Sequence, residues 1–146
     1  MEIGVVGELI GLFASAFLAA TILPGTSEAA LILVLTAGTA STATAVGVAT
    51  LGNVCGSVLN WAIGYFFASY RDHPRFPVKP EKFERYQEVY RKWGVWTLLM
   101  SWVPLIGDPL TIVAGVMRAP LLLVIVLVAI AKGLRYIVIA GAVGLF

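Results

Sequence analysis

Two long apolar stretches of the chain are each interrupted by a short polar or helix-breaking sequence. In the first half, residues 9–23 are mostly apolar up to the Pro24-Gly25 pair, and residues 29–38 resume the apolar pattern after Glu28. A helix needs about 20 apolar residues to cross a bilayer, and each of these runs is shorter. The pattern therefore predicts a re-entrant hairpin that enters the membrane, turns at Pro24 and Gly25, and leaves on the same side.

A long apolar segment follows this first hairpin. The small polar residues between Thr39 and Thr44 predict a surface turn, because they separate two apolar runs. Residues 45–70 are then long enough to cross the membrane with some tilt. The first half of the chain is thus expected to consist of one hairpin and one spanning helix.

The second half of the chain repeats this layout. Residues 93–106 are mostly apolar, residues 107–109 interrupt them with the sequence Gly-Asp-Pro, and residues 121–146 are again long enough to span. A hairpin plus one crossing is an odd number of passes, so the two halves have opposite orientations in the membrane. Inverted repeats with interrupted helices are typical of secondary transporters.

The predicted fold is an all-α integral membrane protein with two inverted re-entrant helical hairpins, each followed by one long transmembrane helix. Residues 1–146 are expected to form a single membrane domain, with residues 1–70 as the first repeat, 71–92 as a linker and 93–146 as the second repeat. The predicted structural breaks of the hairpins are Pro24, Gly25, Pro104, Gly107 and Pro109.

Composition and charge support a membrane location and indicate its orientation. The chain is 60% hydrophobic and 12% charged, with a mean hydropathy of +0.94, whereas soluble domains average about 25% charged residues. Most of the 10 basic residues lie within residues 71–92, which predicts that this linker is cytoplasmic in a bacterial inner membrane. Phe83, Tyr86, Tyr90 and Trp93 recur at helical spacing, so the linker should contain an amphipathic helix. This helix either lies on the membrane surface or is a solvated linker helix.

The sequence offers no sign of a metal site, a cofactor or enzyme chemistry. Cys55 is the single cysteine, and no His/Cys cluster has the spacing of metal ligands. His73, the only histidine, is expected to be a polar residue of the linker. Without a Ser/His or Cys/His pair, two membrane acids alone are a weak catalytic signal. We expect no cofactor, no enzymatic activity and no nucleic-acid partner.

Charged residues within the apolar segments are the main functional signal. Such a charge costs about 2.5 to 3.5 kcal/mol on insertion scales, so it normally faces a partner or a hydrated cavity. Lys132 and Arg135 share one face near the middle of the last helix, which favours contact either with the acids Glu28 and Asp108 or with an anionic group such as phosphate. Arg118, at a hairpin exit, is expected to extend its side chain to the interface.

Each of the two hairpin acids has two compatible roles. Glu28 and Asp108 each precede an apolar run, where a carboxylate in the first turn interacts favourably with the positive end of the helix dipole. Either acid can also take up a proton at membrane depth.

The first long helix contains several small and polar residues on one side. Asn53, Ser57 and Asn60 recur at helical spacing beside Gly52 and Gly64. Glycines of this kind let helices approach closely, so packing is their expected role. Asn53 and Asn60 either form interhelical hydrogen bonds or line a cavity.

Several motifs in order resemble a known family. The sequences LPGTSE, GNVCGSVLNWAIGYF, KWGVWTLLMSWVPLIGDPLTIVAGVMRAP and AKGLRY are similar to the YqaA-type branch of the DedA superfamily, whose relatives carry the VTT (SNARE-associated Golgi protein) domain. The resemblance implies two opposed re-entrant hairpins and a role in lipid translocation, such as phospholipid scrambling, undecaprenyl phosphate recycling or proton-dependent membrane homeostasis. It also implies a functional acid at Glu28. Bacterial DedA transporters have arginines where this chain has Ser101 and Gly107, so the identity of the substrate does not transfer.

These observations support two functional hypotheses. The first is a small inner-membrane transporter, flippase or scramblase for an anionic lipid or lipid phosphate. In it, Lys132 and Arg135 bind the head group, Glu28 and Asp108 take part in proton coupling or gating, and the membrane lipid is the substrate. The alternative is a structural or assembly protein whose buried charges form a closed ion-pair network. A hydrated cavity favours the first, and direct acid–base contacts in a dry core favour the second. We also expect a homodimer, because two full crossings leave much hairpin surface to cover.

Overall fold

All regular elements in the described part of the chain are helical. The computed structural model describes residues 3–21, 26–38, 40–70, 73–76, 78–102 and 107–142. Its α-helices are α1 (Ile3–Thr21), α2 (Thr26–Ala37), α3 (Thr42–Phe66), α4 (Pro80–Trp93), α5 (Gly107–Val116) and α6 (Leu121–Ala142). Two 3₁₀ helices cover Ala68–Tyr70 and Gly94–Trp102. The prediction of an all-α fold is confirmed.

Helices α3 and α6 are long and apolar enough to cross a membrane, with 25 and 22 residues. Helices α1 and α2 are also apolar but shorter. The prediction of two long apolar helices is therefore confirmed, with α3 beginning and ending earlier than predicted. The re-entrant course of the hairpins stays a prediction, and the predicted breaks at Pro24, Gly25 and Pro104 lie outside the described residues. Gly107 and Pro109 are described, and both belong to the start of α5.

The outer surface of α6 is typical of a helix that faces lipid. A water-soluble protein would bury such side chains, whereas a lipid-facing surface has no reason to do so. The large apolar side chains exposed on α6 are Leu122, Leu123, Val126, Ile130, Leu134, Ile137 and Val138.

The chain divides into two compact units, of which the first comprises residues 1–56 and 132–146. In it, α1 packs against α2, and the core includes Leu12 and Leu31, which are 1% and 0% exposed. The backbone N–H of Thr44 donates a 3.1 Å hydrogen bond to Ser41 Oγ, which caps the start of α3. Both residues are exposed, but the predicted surface turn is shorter than expected, because α3 already begins at Thr42.

The second unit comprises residues 57–131. Helices α3 and α5 approach so closely in it that glycine is required at the contact. A methyl group added at Gly64 would overlap the backbone of Ile112, and one added at Gly115 would overlap the backbone of Trp61. The indole Nε1 of Trp61 also donates a 2.9 Å hydrogen bond to the carbonyl oxygen of Ala119. The packing role predicted for Gly64 is therefore confirmed.

Helix α4 is amphipathic, as predicted, but its apolar face is covered by the protein itself. Pro80 lies at the start of the helix, where its missing N–H has no intrahelical partner to lose. Phe83 is 3% exposed, and Tyr86 and Tyr90 pack with it in a core that includes Val113 of α5. Burial there raises the pKa of Tyr90 above its ordinary value of 10.0. Most of this face therefore packs within the protein, and the interpretation that α4 lies on the membrane surface stays a prediction.

Helix α5 ends in a Schellman motif with Arg118 in the left-handed conformation. The N–H of Ala119 donates to the carbonyl oxygen of Ala114 at 2.9 Å, and the N–H of Arg118 donates to that of Gly115 at 3.0 Å. Arg118 has a φ of 60°, and its exposed guanidinium lies 4.8 Å from the centre of the Tyr65 ring. This exposed position agrees with the expectation that Arg118 extends towards an interface.

Candidate functional site

The first turn of α2 places Glu28 beside a buried hydroxyl group. Glu28 is the acidic residue of that turn, where a carboxylate interacts favourably with the positive end of the helix dipole. Ser27 is 0% exposed, and its Oγ donates a 3.2 Å hydrogen bond to Oε2 of Glu28. Asp108 has the equivalent position in the first turn of α5, in the second unit. The predicted helix-start positions of both acids are therefore confirmed.

Arg135 of α6 forms an ion pair with Glu28. The Nη2 atom of Arg135 lies 3.1 Å from Oε1 of Glu28. The same nitrogen donates to the hydroxyl of Tyr136 at 3.3 Å, and this hydroxyl donates to Ser27 Oγ at 2.9 Å. The Ser27 hydroxyl in turn donates to the carboxylate. The four side chains thus form a closed hydrogen-bonded ring, which we call the Glu28–Arg135 ring.

The direction of the hydrogen bonds makes the ring depend on an ionised carboxylate. An ionised carboxylate only accepts hydrogen bonds and a guanidinium only donates them, whereas each hydroxyl can do both. Both paths from Arg135 therefore end on Glu28, one directly and one through Tyr136 and Ser27. A proton on Glu28 would remove the charge attraction and one of the acceptor sites on which the ring depends.

The members of the ring differ in how far they are buried. Ser27 and Tyr136 are 0% exposed, whereas the side chains of Arg135 and Glu28 are 11% and 25% exposed. Charge-assisted hydrogen bonds are strong in such surroundings because little water competes for the donors and acceptors. Glu28 is therefore both the acceptor of the ring and its most exposed side chain.

The remaining predicted site residues lie in different parts of the two units. Lys132 is 1% exposed, on α6 in the first unit. Asn53, also in the first unit, donates a 2.8 Å hydrogen bond from Nδ2 to the carbonyl oxygen of Ala16, whereas its buried Oδ1 has no hydrogen-bond partner among the described residues. Asn60, in the second unit, is 3% exposed. The interhelical hydrogen bond predicted for Asn53 is therefore present, and roles of these residues in coupling or cavity lining stay predictions.

Sequence reasoning missed Tyr136 and underestimated Ser27. The sequence signal for Tyr136 was its position directly after Arg135 in an otherwise apolar helix, where a phenol hydroxyl needs a hydrogen-bond partner. No sequence pattern indicated the contact between the Ser27 hydroxyl and the carboxylate of Glu28. Within the described ranges, no group of three or more His, Cys, Asp and Glu side chains could hold a metal ion. The ring thus consists of one ion pair and two hydroxyl groups.

Comparisons with known proteins identify the family. The VTT domain matches residues 23–145. The inner membrane protein YqaA of Escherichia coli is 40% identical over 139 residues, which cover 92% of this chain and 90% of that protein, and the Shigella flexneri protein of the same name matches equally. An uncharacterized protein of Haemophilus influenzae is 30% identical over 137 residues, or 89% of this chain and 83% of that protein. No solved structure matches. With its apolar spanning helices and inner-membrane relatives, the chain belongs to the VTT-domain family of the DedA superfamily and is a protein of the bacterial inner membrane.

Proposed function

We propose that this protein is a transporter that moves an anionic lipid or lipid phosphate across the inner membrane. In this proposal, Arg135 exchanges the carboxylate of Glu28 for the phosphate of the head group. The observation that supports it is the 3.1 Å ion pair between these two side chains, one on α2 and one on the spanning helix α6. A guanidinium binds carboxylate and phosphate with the same planar arrangement of donors, so either anion can occupy it.

Proton uptake by Glu28 would couple to lipid binding through this exchange. A protonated Glu28 holds Arg135 less strongly, which leaves the guanidinium available for phosphate. By linkage, a phosphate on Arg135 favours the protonated form of Glu28 to the same extent. The accessibility of Glu28, at 25% exposed, supports its role as the group that exchanges protons. Tyr136 and Ser27 act as positioning residues, because their hydroxyl groups connect the two charged groups.

The other predicted site residues have secondary roles in this proposal. Lys132 supplies a second cation for the head group, and Asp108 is a second acid for coupling or gating. Asn53 and Asn60 line the path of the head group. The two hairpins are re-entrant and opposite in orientation, with residues 71–92 in the cytoplasm. The apolar lengths of the segments and the inverted layout of the sequence support this topology.

The structural alternative also has a specific observation in its favour. Each member of the Glu28–Arg135 ring has a hydrogen-bond partner within the ring. Such a closed set of direct contacts is what a network with a purely structural role requires. In this alternative, the protein helps to organise the membrane or other proteins, and no lipid crosses through it.

Reconstitution in vesicles tests the proposal. We expect the wild-type protein to move NBD-labelled phosphatidylglycerol between leaflets, measured by dithionite quenching. Arg135→Gln removes the guanidinium that binds the phosphate, and Glu28→Gln removes the carboxylate that displaces the phosphate from it. Each should lower the rate about 10- to 100-fold, which corresponds to the loss of one charge-assisted interaction in the cycle. Arg118→Gln is the matched control, because it removes a guanidinium from an exposed position outside the ring and should leave the rate unchanged.

The same variants separate the two candidate functions. If wild-type protein moves no lipid, and the double variant Glu28→Gln/Arg135→Gln regains the thermal stability that each single variant loses, the ring is structural. If wild-type protein moves lipid and both single variants retain the wild-type rate, the protein is a transporter but the ring is not its binding site. Circular dichroism and size-exclusion profiles check that each variant is folded.

A further inference from the structure

A cavity lies in the unit formed by residues 57–131, at the end of α3 and in the turn that follows it. Its volume is about 460 Å³, which is within the range of small-molecule sites. The residues that line it are Ile63, Phe67, Tyr70, His73, Arg75 and Phe76. None of these residues belongs to the Glu28–Arg135 ring, so the function of this cavity is a separate question.

Most of the lining of the cavity is apolar and aromatic. It also includes the exposed side chains of His73 and Arg75, which we call the basic rim. The ring centres of Phe67 and Tyr70 are 6.1 Å apart, and these side chains are 52% and 58% exposed. Phe76 is 9% exposed and packs against Phe83 in the core beneath. This combination of one apolar side and one cationic side matches an amphiphile with a negative charge.

The basic rim is ordered by hydrogen bonds. The N–H of His73 donates to the carbonyl oxygen of Tyr70 at 2.9 Å, and the N–H of Phe76 donates to that of His73, also at 2.9 Å. The N–H of Arg75 donates to Nδ1 of His73 at 3.1 Å. The lining of the cavity therefore includes an imidazole and a guanidinium, and a guanidinium N–H can donate to an anion.

The position of the cavity along the chain indicates where its ligand comes from. Helix α3 is a candidate spanning helix that ends at Phe66, and exposed aromatic side chains just beyond such a helix are typical of the membrane–water interface. The following residues 71–92 contain most of the basic residues of the chain, and basic segments next to a spanning helix attract anionic lipids. A lipid can enter such a cavity from the leaflet without leaving the membrane.

We propose that this cavity binds one anionic phospholipid of the leaflet on the side of residues 71–92. The phosphate contacts Arg75 and His73, and the first part of an acyl chain lies along Ile63 and Phe67. This site retains its lipid rather than translocating it, and it fixes the turn after α3 to the membrane surface. The proposal does not depend on transport at the Glu28–Arg135 ring.

Binding of short-chain lipids to the purified protein in neutral detergent tests this site. Native mass spectrometry would compare dihexanoyl phosphatidylglycerol, dihexanoyl phosphatidylcholine and glycerol phosphate. We expect phosphatidylglycerol to bind at least about tenfold more tightly than the other two, because only it combines a net negative head group with apolar chains. Arg75→Gln and Phe67→Ala should each weaken it about tenfold. Arg91→Gln, an exposed arginine of α4 outside the cavity, should not weaken it.

Several outcomes would overturn the proposal. Equal binding of glycerol phosphate would show a free-anion site, and equal binding of phosphatidylcholine would show that the net charge has no role. Equal weakening by Arg91→Gln and Arg75→Gln would show a general effect of surface charge. Unchanged binding of phosphatidylglycerol to Phe67→Ala would show that Phe67 does not contact the acyl chain. Both cavity substitutions are at exposed positions, so folded protein is expected for each.

Discussion

The close contact between α3 and α5 predicts both the direction and the size of the change in stability when a glycine there is replaced. An added Cβ at Gly64 would lie 2.9 Å from the backbone nitrogen of Val116 and 3.0 Å from the carbonyl carbon of Ile112, and closer still to the carbonyl oxygen of Ile112. Ordinary van der Waals contact begins at 3.4 Å, so the backbones must separate by about half an ångström or more. Because the obstructing atoms belong to backbone, no side-chain rotation can relieve the overlap.

Gly64→Ala should therefore destabilise the protein. Overpacking of a close contact costs about 1 to 3 kcal/mol. Gly47→Ala is the matched control on the same helix, because a Cβ at Gly47 has nothing within 4 Å. Alanine is favoured over glycine in a helix by about 0.8 to 1 kcal/mol, so Gly47→Ala should be neutral or stabilising.

Thermal unfolding in detergent, followed by fluorescence-detected size-exclusion chromatography, measures both variants. We expect the melting temperature to fall for Gly64→Ala and to stay level or rise for Gly47→Ala. Gly115→Ala should behave like Gly64→Ala, since its added Cβ would lie 2.9 Å from the carbonyl carbon of Trp61. Equal melting temperatures for Gly64→Ala and wild type would refute the close approach of α3 and α5.

Three further predictions concern single polar groups. Tyr136→Phe removes the hydroxyl between Arg135 and Ser27 and should cost about 1 to 3 kcal/mol in thermal unfolding, with Tyr70→Phe, at an exposed residue, as the unaffected control. Trp61→Phe removes the donor to Ala119 and should cost about 0.5 to 1.5 kcal/mol in the same assay; no loss would contradict that bond. Asp108→Asn removes the charge from the first turn of α5 and should cost at least about 0.3 to 1 kcal/mol in the same assay. The proposed coupling role also requires slower lipid transport in this variant, and an unchanged rate would contradict that role.

The helices and the acids were predictable because the signals for them are local. Apolar length alone identifies α3 and α6, and an acid followed by an apolar run identifies the first turns of α2 and α5. The high cost of a membrane charge also led to the expectation that Arg135 either contacts an acid or binds an anion. Arg135 does contact an acid, Glu28, although the functional role of this ion pair stays a prediction.

The features that sequence reasoning missed depend on contacts between distant residues. Tyr136 and Ser27 are 109 positions apart, and no pattern around either residue indicates that their hydroxyl groups meet. The apolar face of α4 has the same spacing whether it meets lipid or α5, so periodicity could not identify its partner. The aromatic cavity at Phe67 and Phe76 is formed by a turn, whose course is not specified by hydrophobic periodicity.

The distribution of exposure within the Glu28–Arg135 ring is consistent with the proposed exchange at Arg135. An ion pair contributes little net stability, because solvent weakens the attraction of an exposed pair and desolvation offsets that of a buried pair. In this ring Ser27 and Tyr136 are fully buried, whereas the side chain of Glu28 is 25% exposed. An accessible carboxylate can gain a proton without unfolding the helices around it. The hydrogen bond between Tyr136 and Ser27 would then still connect α6 to α2, while the ion pair between Glu28 and Arg135 weakens. In the proposed transport cycle, Arg135 would thus change partners within an intact fold.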